Sequence, residues 1–417
     1  MSKANGAIEK KDTYLQHVSL KNYKSIKDVE IDFKPGLNII IGKNGSGKTN
    51  FINALNAILN FKYNDLLDTE YDIKASFKKG EIDFHAFVKY FMPNDLLEFD
   101  GHIGRSFNNE NRLKINGEGV EIPENLNERD FLRDQDYYFL DILIKHGTYY
   151  REDAQFINLP LSFVLVNNGK VTNQLMSVIS DDNRSMFIEV YFYRLNILLV
   201  QLYSTYSAID AAEFANQVSL EELKIEILSF SDRCLRKINN LISDFSPIKG
   251  LRLNPNFIVI KDDIERKLII ANFYLEFLVD ENWLTFRLLS DGTKRLFYII
   301  SEILSRDSLS YAGDDDLFIA LLEEPELGIH PHQLHKLMQF IKEQSREKQI
   351  IITTHSPQVL DALGPDELDR IIICHSDPKN GTQLSHLSEK EIVKAKKYMK
   401  EEAFLSDYWR FSDLEPA

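Results

Sequence analysis

The residues Gly42-Lys43-Asn44-Gly45-Ser46-Gly47-Lys48-Thr49 put three glycines, a forward-placed lysine and a hydroxyl into one short stretch. Glycines let successive backbone N–H groups curl around an anion. A helix starting directly behind them turns the positive end of its dipole toward that anion. Lys48 adds a point charge for the outer phosphates, and the Thr49 hydroxyl is a hard oxygen ligand for Mg²⁺. The pattern is G-x-x-x-x-G-K-[ST], a P-loop, which requires a strand before it and a helix after it. Both are legible. Ile39, Ile40 and Ile41 form a β-branched run suited to a strand buried on both faces. Phe51, Ile52, Leu55, Ile58 and Leu59 recur at helical spacing. Gly42, Asn44, Gly45, Ser46, Gly47, Lys48, Thr49 and Asn50 are therefore the expected contacts of a nucleoside triphosphate.

A second chemical cluster lies far along the chain. The apolar run Leu317–Leu322 ends in Glu323-Glu324-Pro325-Glu326-Leu327-Gly328-Ile329-His330-Pro331. Two carboxylates where such a strand emerges lie at the ligand edge of a doubly wound sheet. Glu323 is expected to orient Mg²⁺ through its water shell, and Glu324 to accept a proton from the attacking water. The last apolar strand, Gln349–Ile352, leads into Thr353-Thr354-His355-Ser356-Pro357. An imidazole at His355 can bond a γ-phosphate or position the water. Between the clusters, Leu288-Leu289-Ser290-Asp291-Gly292-Thr293-Lys294-Arg295 precedes a helical pattern. Ser290 and Gly292 at that junction make a further anion site, although Ser290 alone also reads as an ordinary N-cap. His330, His332 and His335 fall at a turn and helix start, without the usual zinc ligand set.

These side chains need a scaffold, and the periodicities describe one. Tyr14 to Phe33 reads as two strands joined around Asn22-Tyr23-Lys24-Ser25, with Pro35-Gly36 turning into the P-loop strand. Residues 71–122 read as a β-meander. From about Asp181 to Leu241 the pattern is helical, and Ser219 with Glu222 resembles a capping box. Strands return from Leu251 to Phe286. The expected organisation is an α/β nucleotide-binding core with an N-terminal β-meander and an inserted helical lobe. Its parts are an N-terminal part of the core (residues 1–150), a helical insertion (151–250) and a C-terminal part of the core (251–417).

Bulk properties exclude several classes. With 417 residues, two domains are the soft expectation. Two cysteines, Cys234 and Cys374, exclude a disulfide framework. No apolar h-region opens the sequence and no run reaches the ~18 residues that span a bilayer, so a cytoplasmic protein without membrane contact is expected. A formal charge of −15 argues against a surface that coats nucleic acid non-specifically.

Asn22-Tyr23-Lys24-Ser25-Ile26, the P-loop, Leu289-Ser290-Asp291-Gly292-Thr293, the Glu323–Glu326 box with His330-Pro331, and Thr354-His355-Ser356-Pro357 together resemble the ABC-type ATPases of the OLD and RecF-like group. The ATPase subunits of the bacterial anti-phage systems Septu and PARIS belong to that neighbourhood. Asp291 stands where the group's signature usually has glycine, and Glu323 where most P-loop proteins have aspartate. The resemblance implies ATP and Mg²⁺ as cofactors. It also implies a head-to-tail homodimer or higher homo-oligomer, in which ATP on one P-loop is closed by Ser290 and Gly292 of the other copy. A Q-loop glutamine is expected, with Gln155 a candidate. About sixty residues follow His355, fewer than a typical domain of roughly 100–150 residues. A nuclease, if one is involved, is therefore expected on a separate effector protein. Two functions follow from the resemblance. One is a sensor, switch or scaffold ATPase in anti-phage defence, triggered by a phage protein or nucleic acid. The alternative is a RecF- or SMC-like ATPase of DNA repair or chromosome maintenance.

Overall fold

A computed structural model of the chain describes residues 13–59, 71–79, 82–91, 97–99, 102–104, 108–115, 118–120, 139–144, 161–166, 171–173, 220–262, 267–305, 317–402 and 404–411. Gln155, Ser219 and the helical pattern from Asp181 onward lie outside them, except for residues 220–241. The chain divides into two compact units. One holds Met1–Lys145, Tyr311–Glu326 and Met338–Ala417, the other His146–Ser310 and Leu327–Leu337.

The first unit is built on a mixed α/β plan around one twelve-stranded sheet. Its N-terminal strands are β1 (Thr13–Tyr23), β2 (Ile26–Asp32) and β3 (Leu37–Ile41), followed by helix α1 (Lys48–Leu59). The expected meander is present as β4 (Tyr71–Lys79), β5 (Ile82–Phe91), β8 (Asn108–Ile115) and β9 (Glu118–Val120), each antiparallel to the next. A small hairpin, β6 (Leu97–Phe99) with β7 (His102–Gly104), interrupts it. Strand β10 (Phe139–Ile144) then pairs in parallel with β18 (Leu317–Glu323). The remaining strands are β19 (Gln349–Thr354), β20 (Ile371–Asp377) and β21 (Gly381–His386). The order is β10-β18-β19-β3-β20-β21-β2-β1-β4-β5-β8-β9.

The strands from β10 to β20 are parallel, so their carboxyl ends emerge on one edge. Central parallel strands are covered on both faces and need continuous apolar runs. Ile39, Ile40, Ile41, Ile350, Ile351 and Ile352 meet that demand, all of them inaccessible. Helix α1 buries Phe51, Ile52, Ala54 and Leu55 in one cluster with Ile40, Ile319, Leu321, Ile351 and Ile372. At roughly 1.5–3 kcal/mol for each large side chain buried, this packing fixes the helix start against the end of β3.

The second unit contains two antiparallel sheets. One is β12-β11-β15-β14, from Val171–Asn173, Leu161–Val166, Lys267–Phe273 and Ile258–Asp262. The other is β13-β16-β17, from Gly250–Leu253, Leu275–Val279 and Asn282–Thr285. Helix α2 (Leu220–Phe245) belongs to this unit and buries Leu223, Ile227, Leu235, Ile238 and Ile242, while Leu220 and Ile225, apolar positions of the same helical pattern, are exposed. Helix α3 (Asp291–Ser305) packs Phe297 edge-on to Phe277, with ring centroids 4.9 Å apart. The chain also contains α4 (Pro331–Gln344), α5 (Glu389–Glu402) and α6 (Leu405–Phe411). No described helix is long and apolar enough to cross a membrane.

Candidate nucleotide-binding and hydrolytic site

The parallel register brings three chemical segments to one sheet edge. Glu323, at the end of β18, lies beside Thr353 of β19, and Thr354 lies beside Ile41 of β3. The Gly42 N–H donates to the Thr354 carbonyl at 3.3 Å, tying the start of the P-loop to the segment that carries His355.

Within the loop, Gly45 and Gly47 have φ of +82° and +103°, a region costly to residues with a Cβ. Gly47 has a second reason to be glycine. A Cβ there would come within 1.9 Å of the Thr382 hydroxyl. Asn44 and Gly45 form the exposed tip of the loop, whereas Ser46 is buried. The Lys48 ammonium donates to the carbonyls of Gly42 at 2.7 Å and Lys43 at 2.9 Å. Thr49 Oγ1 donates to Glu323 Oε1 at 2.6 Å, so the two residues expected to serve Mg²⁺, far apart in the sequence, meet. A hydroxyl and a carboxylate are the hard oxygen donors that Mg²⁺ takes. The Ser46 hydroxyl is buried without a hydrogen-bond partner, an orphaned polar atom inside an anion-binding loop. These residues fit a Mg²⁺–nucleotide.

Asn50 has a different position from the one its place in the loop suggests. Its amide donates to Ser25 Oγ at 2.8 Å, and Ser25 Oγ lies 2.7 Å from Thr382 Oγ1. The Asn22–Ser25 turn and the β20–β21 hairpin thus brace the first turn of α1.

Glu324 follows the last residue of β18 with φ +47°, a left-handed backbone that costs a non-glycine residue on the order of 1 kcal/mol or more. Its N–H donates to the Thr353 carbonyl at 2.8 Å, which holds the bend. Glu324 Oε1 lies 3.3 Å from His355 Nδ1, so the expected base and the expected histidine form a pair. One residue passed over by sequence reasoning joins them. The buried Glu326 carboxylate accepts from the Thr354 hydroxyl and from the His355 N–H. Burial pushes its acid form to persist above the usual carboxylate range.

Ser290 and Gly292 belong to the second unit. Ser290 caps α3, its Oγ accepting from the Thr293 N–H at 3.2 Å. Its side chain is exposed. Gly292 carries a packing duty of its own, because a Cβ there would lie 2.5 Å from the Gly328 carbonyl oxygen. His330 and His332 are exposed at the start of α4, where the His332 N–H points to His330 Nδ1 at 3.4 Å.

A family model described as "AAA domain, putative AbiEii toxin, Type IV TA system" matches residues 37–361, from the P-loop strand past His355. The DNA replication and repair protein RecF of Tropheryma whipplei is 31% identical over 110 residues, covering 26% of this chain and 29% of that protein. RecF of Streptococcus pneumoniae is 48% identical over 42 residues, covering 10% of this chain and 12% of that protein. The chain therefore spans less than a third of the length of these curated relatives. The crystal structure of an SMC head bound to the C-winged helix domain of ScpA superposes with TM-score 0.50 at 16% identity, covering 91% of this chain and 99% of that one. That likeness is one of fold. The chain belongs to the matched AAA-domain family.

Proposed function

We propose that the protein is a Mg²⁺-dependent ATP hydrolase that works as a switch on DNA, in the manner of RecF- and SMC-type ATPases. The observation that carries the hydrolytic part is the convergence of Lys48, Thr49, Glu323, Glu324 and His355 on one sheet edge. Backbone N–H groups of the P-loop and the ammonium of Lys48 bind the phosphates. Thr49 and Glu323 hold Mg²⁺, which when bound supplies charge neutralisation at the phosphates. Glu324 takes the proton of the attacking water, and His355 holds that carboxylate in place. Ser290 and Gly292 of a second copy close the nucleotide, so two copies associate head to tail around it.

The local identity to RecF supports the DNA part of the reading over a role in defence. Duplex DNA is expected to raise steady-state ATP turnover about fivefold or more at low salt, the ordinary size of a coupling between two sites. The stimulation should fade as salt rises, because phosphate contacts release counterions. Unchanged turnover together with no DNA binding in the same buffer would remove the DNA assignment. The family description's toxin–antitoxin wording favours one second reading, an anti-phage ATPase coupled to a separate nuclease effector. In that case turnover would respond to a phage protein or to the effector rather than to DNA.

A further inference from the structure

Glu326 has a geometry that its sequence position does not explain. It is 9% exposed, in the turn after β18. Oε1 accepts from Thr354 Oγ1 at 2.5 Å and from the His355 N–H at 3.3 Å, and stands 3.6 Å from His355 Nδ1. Thr354 Oγ1 accepts in turn from the Ser356 N–H at 2.9 Å. The other oxygen, Oε2, is buried and has no hydrogen-bond partner. One carboxyl thus fastens the segment carrying His355 to the turn carrying Glu324.

A buried carboxyl with one bare oxygen is a poor device for stability, since burying unpaired polar atoms costs free energy that an apolar side chain of similar shape would not. The arrangement makes sense if the side chain's task is placement. Burial raises the Glu326 carboxyl above the usual carboxylate range, and Oε1 keeps its acceptor role toward Thr354 and His355 whether or not the group is charged. The charged and titratable groups acting on it are His355 and Glu324.

We propose that Glu326 is a positioning residue that acts on ATP turnover through His355, holding the imidazole against the carboxylate of Glu324. This rests on the hydrolytic roles assigned above to Glu324 and His355.

The test is a double-mutant cycle on the full chain, reading steady-state ATPase, ATP affinity and thermal melting for Glu326→Ala, Glu326→Gln, His355→Ala and the Glu326→Ala/His355→Ala pair. Glu326→Ala is expected to lower kcat about 10–100-fold, the usual consequence of a misplaced catalytic group, with ATP affinity unchanged. Glu326→Gln keeps the acceptor without charge and should restore turnover to within about threefold of wild type. The paired variant should be no slower than His355→Ala, because two residues acting through one group are not additive. Effects that multiply in the pair, or a loss of ATP affinity at unchanged kcat, would overturn the positioning role. Wild-type turnover in His355→Ala would overturn the assignment of His355 itself, and this inference with it. If Glu326→Ala does not fold, Thr354→Val takes its place in the cycle with the same expectations, since it removes the hydroxyl that holds Oε1.

Discussion

Glu324→Gln is expected to cut ATP turnover by roughly 10²–10⁴-fold, the usual worth of a general base, while leaving ATP binding intact. The amide fills the same space and can still face His355, so the left-handed bend and its hydrogen bond to the Thr353 carbonyl persist. It cannot take a proton from water. The variant should therefore accumulate the ATP-bound, closed form, visible as a larger species by size-exclusion chromatography in ATP but not in ADP. Glu323→Gln separates the two carboxylates. Glu323 is engaged by Thr49 and is expected to act through Mg²⁺, so its loss should raise the Mg²⁺ concentration needed for activity. Normal turnover in Glu324→Gln with loss confined to Glu323→Gln would exchange the two roles.

Lys48→Ala has the second large effect, on binding rather than on the chemical step. The Lys48 ammonium is anchored by two carbonyls of the loop. The loop's other cation, Lys43, has an exposed side chain. Hydrogen bonds to charged groups are worth about 1.5–3 kcal/mol, so ATP affinity should fall at least about tenfold, and more where both outer phosphates lose a contact. Isothermal titration with ATP and Mg²⁺ measures it directly. Wild-type affinity would remove the P-loop assignment.

How much of this was legible in the sequence depended on how local the cause was. The P-loop, the β3 isoleucines and the α1 stripe announce themselves because spacing and side-chain type act within a few residues. The Asn22–Ser25 turn and the α3 cap were readable for the same reason. Strand β20 was not anticipated, although Ile371-Ile372-Ile373-Cys374 is an apolar run as plain as Ile39–Ile41. Its place beside β3 is a long-range pairing that no local pattern specifies. Gly47 was explained by phosphate approach alone, and its steric need for room beside Thr382 depends on a hairpin hundreds of residues away. Gly292 was given a phosphate role, and the structure adds an internal one through the Gly328 carbonyl. Glu326 was visible within the Glu-Glu-Pro-Glu box. Its function depends on Thr354 and His355, which reach it only when β18 and β19 pair. The choice between DNA maintenance and defence was beyond the sequence pattern, because both use the same hydrolytic residues.

The close packing of Gly292 also decides how a shared nucleotide site can be tested. Any side chain there would disturb the Gly328 turn, so a loss of activity would carry two meanings. Ser290→Asp is cleaner. Aspartate caps a helix about as well as serine, so α3 should hold, while its charge would oppose a phosphate presented by another copy. The most direct test is to mix Lys48→Ala and Ser290→Asp proteins, each nearly inactive alone, and measure steady-state ATP hydrolysis. A site shared between two copies leaves one intact nucleotide site in every mixed dimer. Random pairing should then restore up to about a quarter of the wild-type rate. A mixture that pairs fully yet hydrolyses no faster than the two variants apart would contradict the shared site.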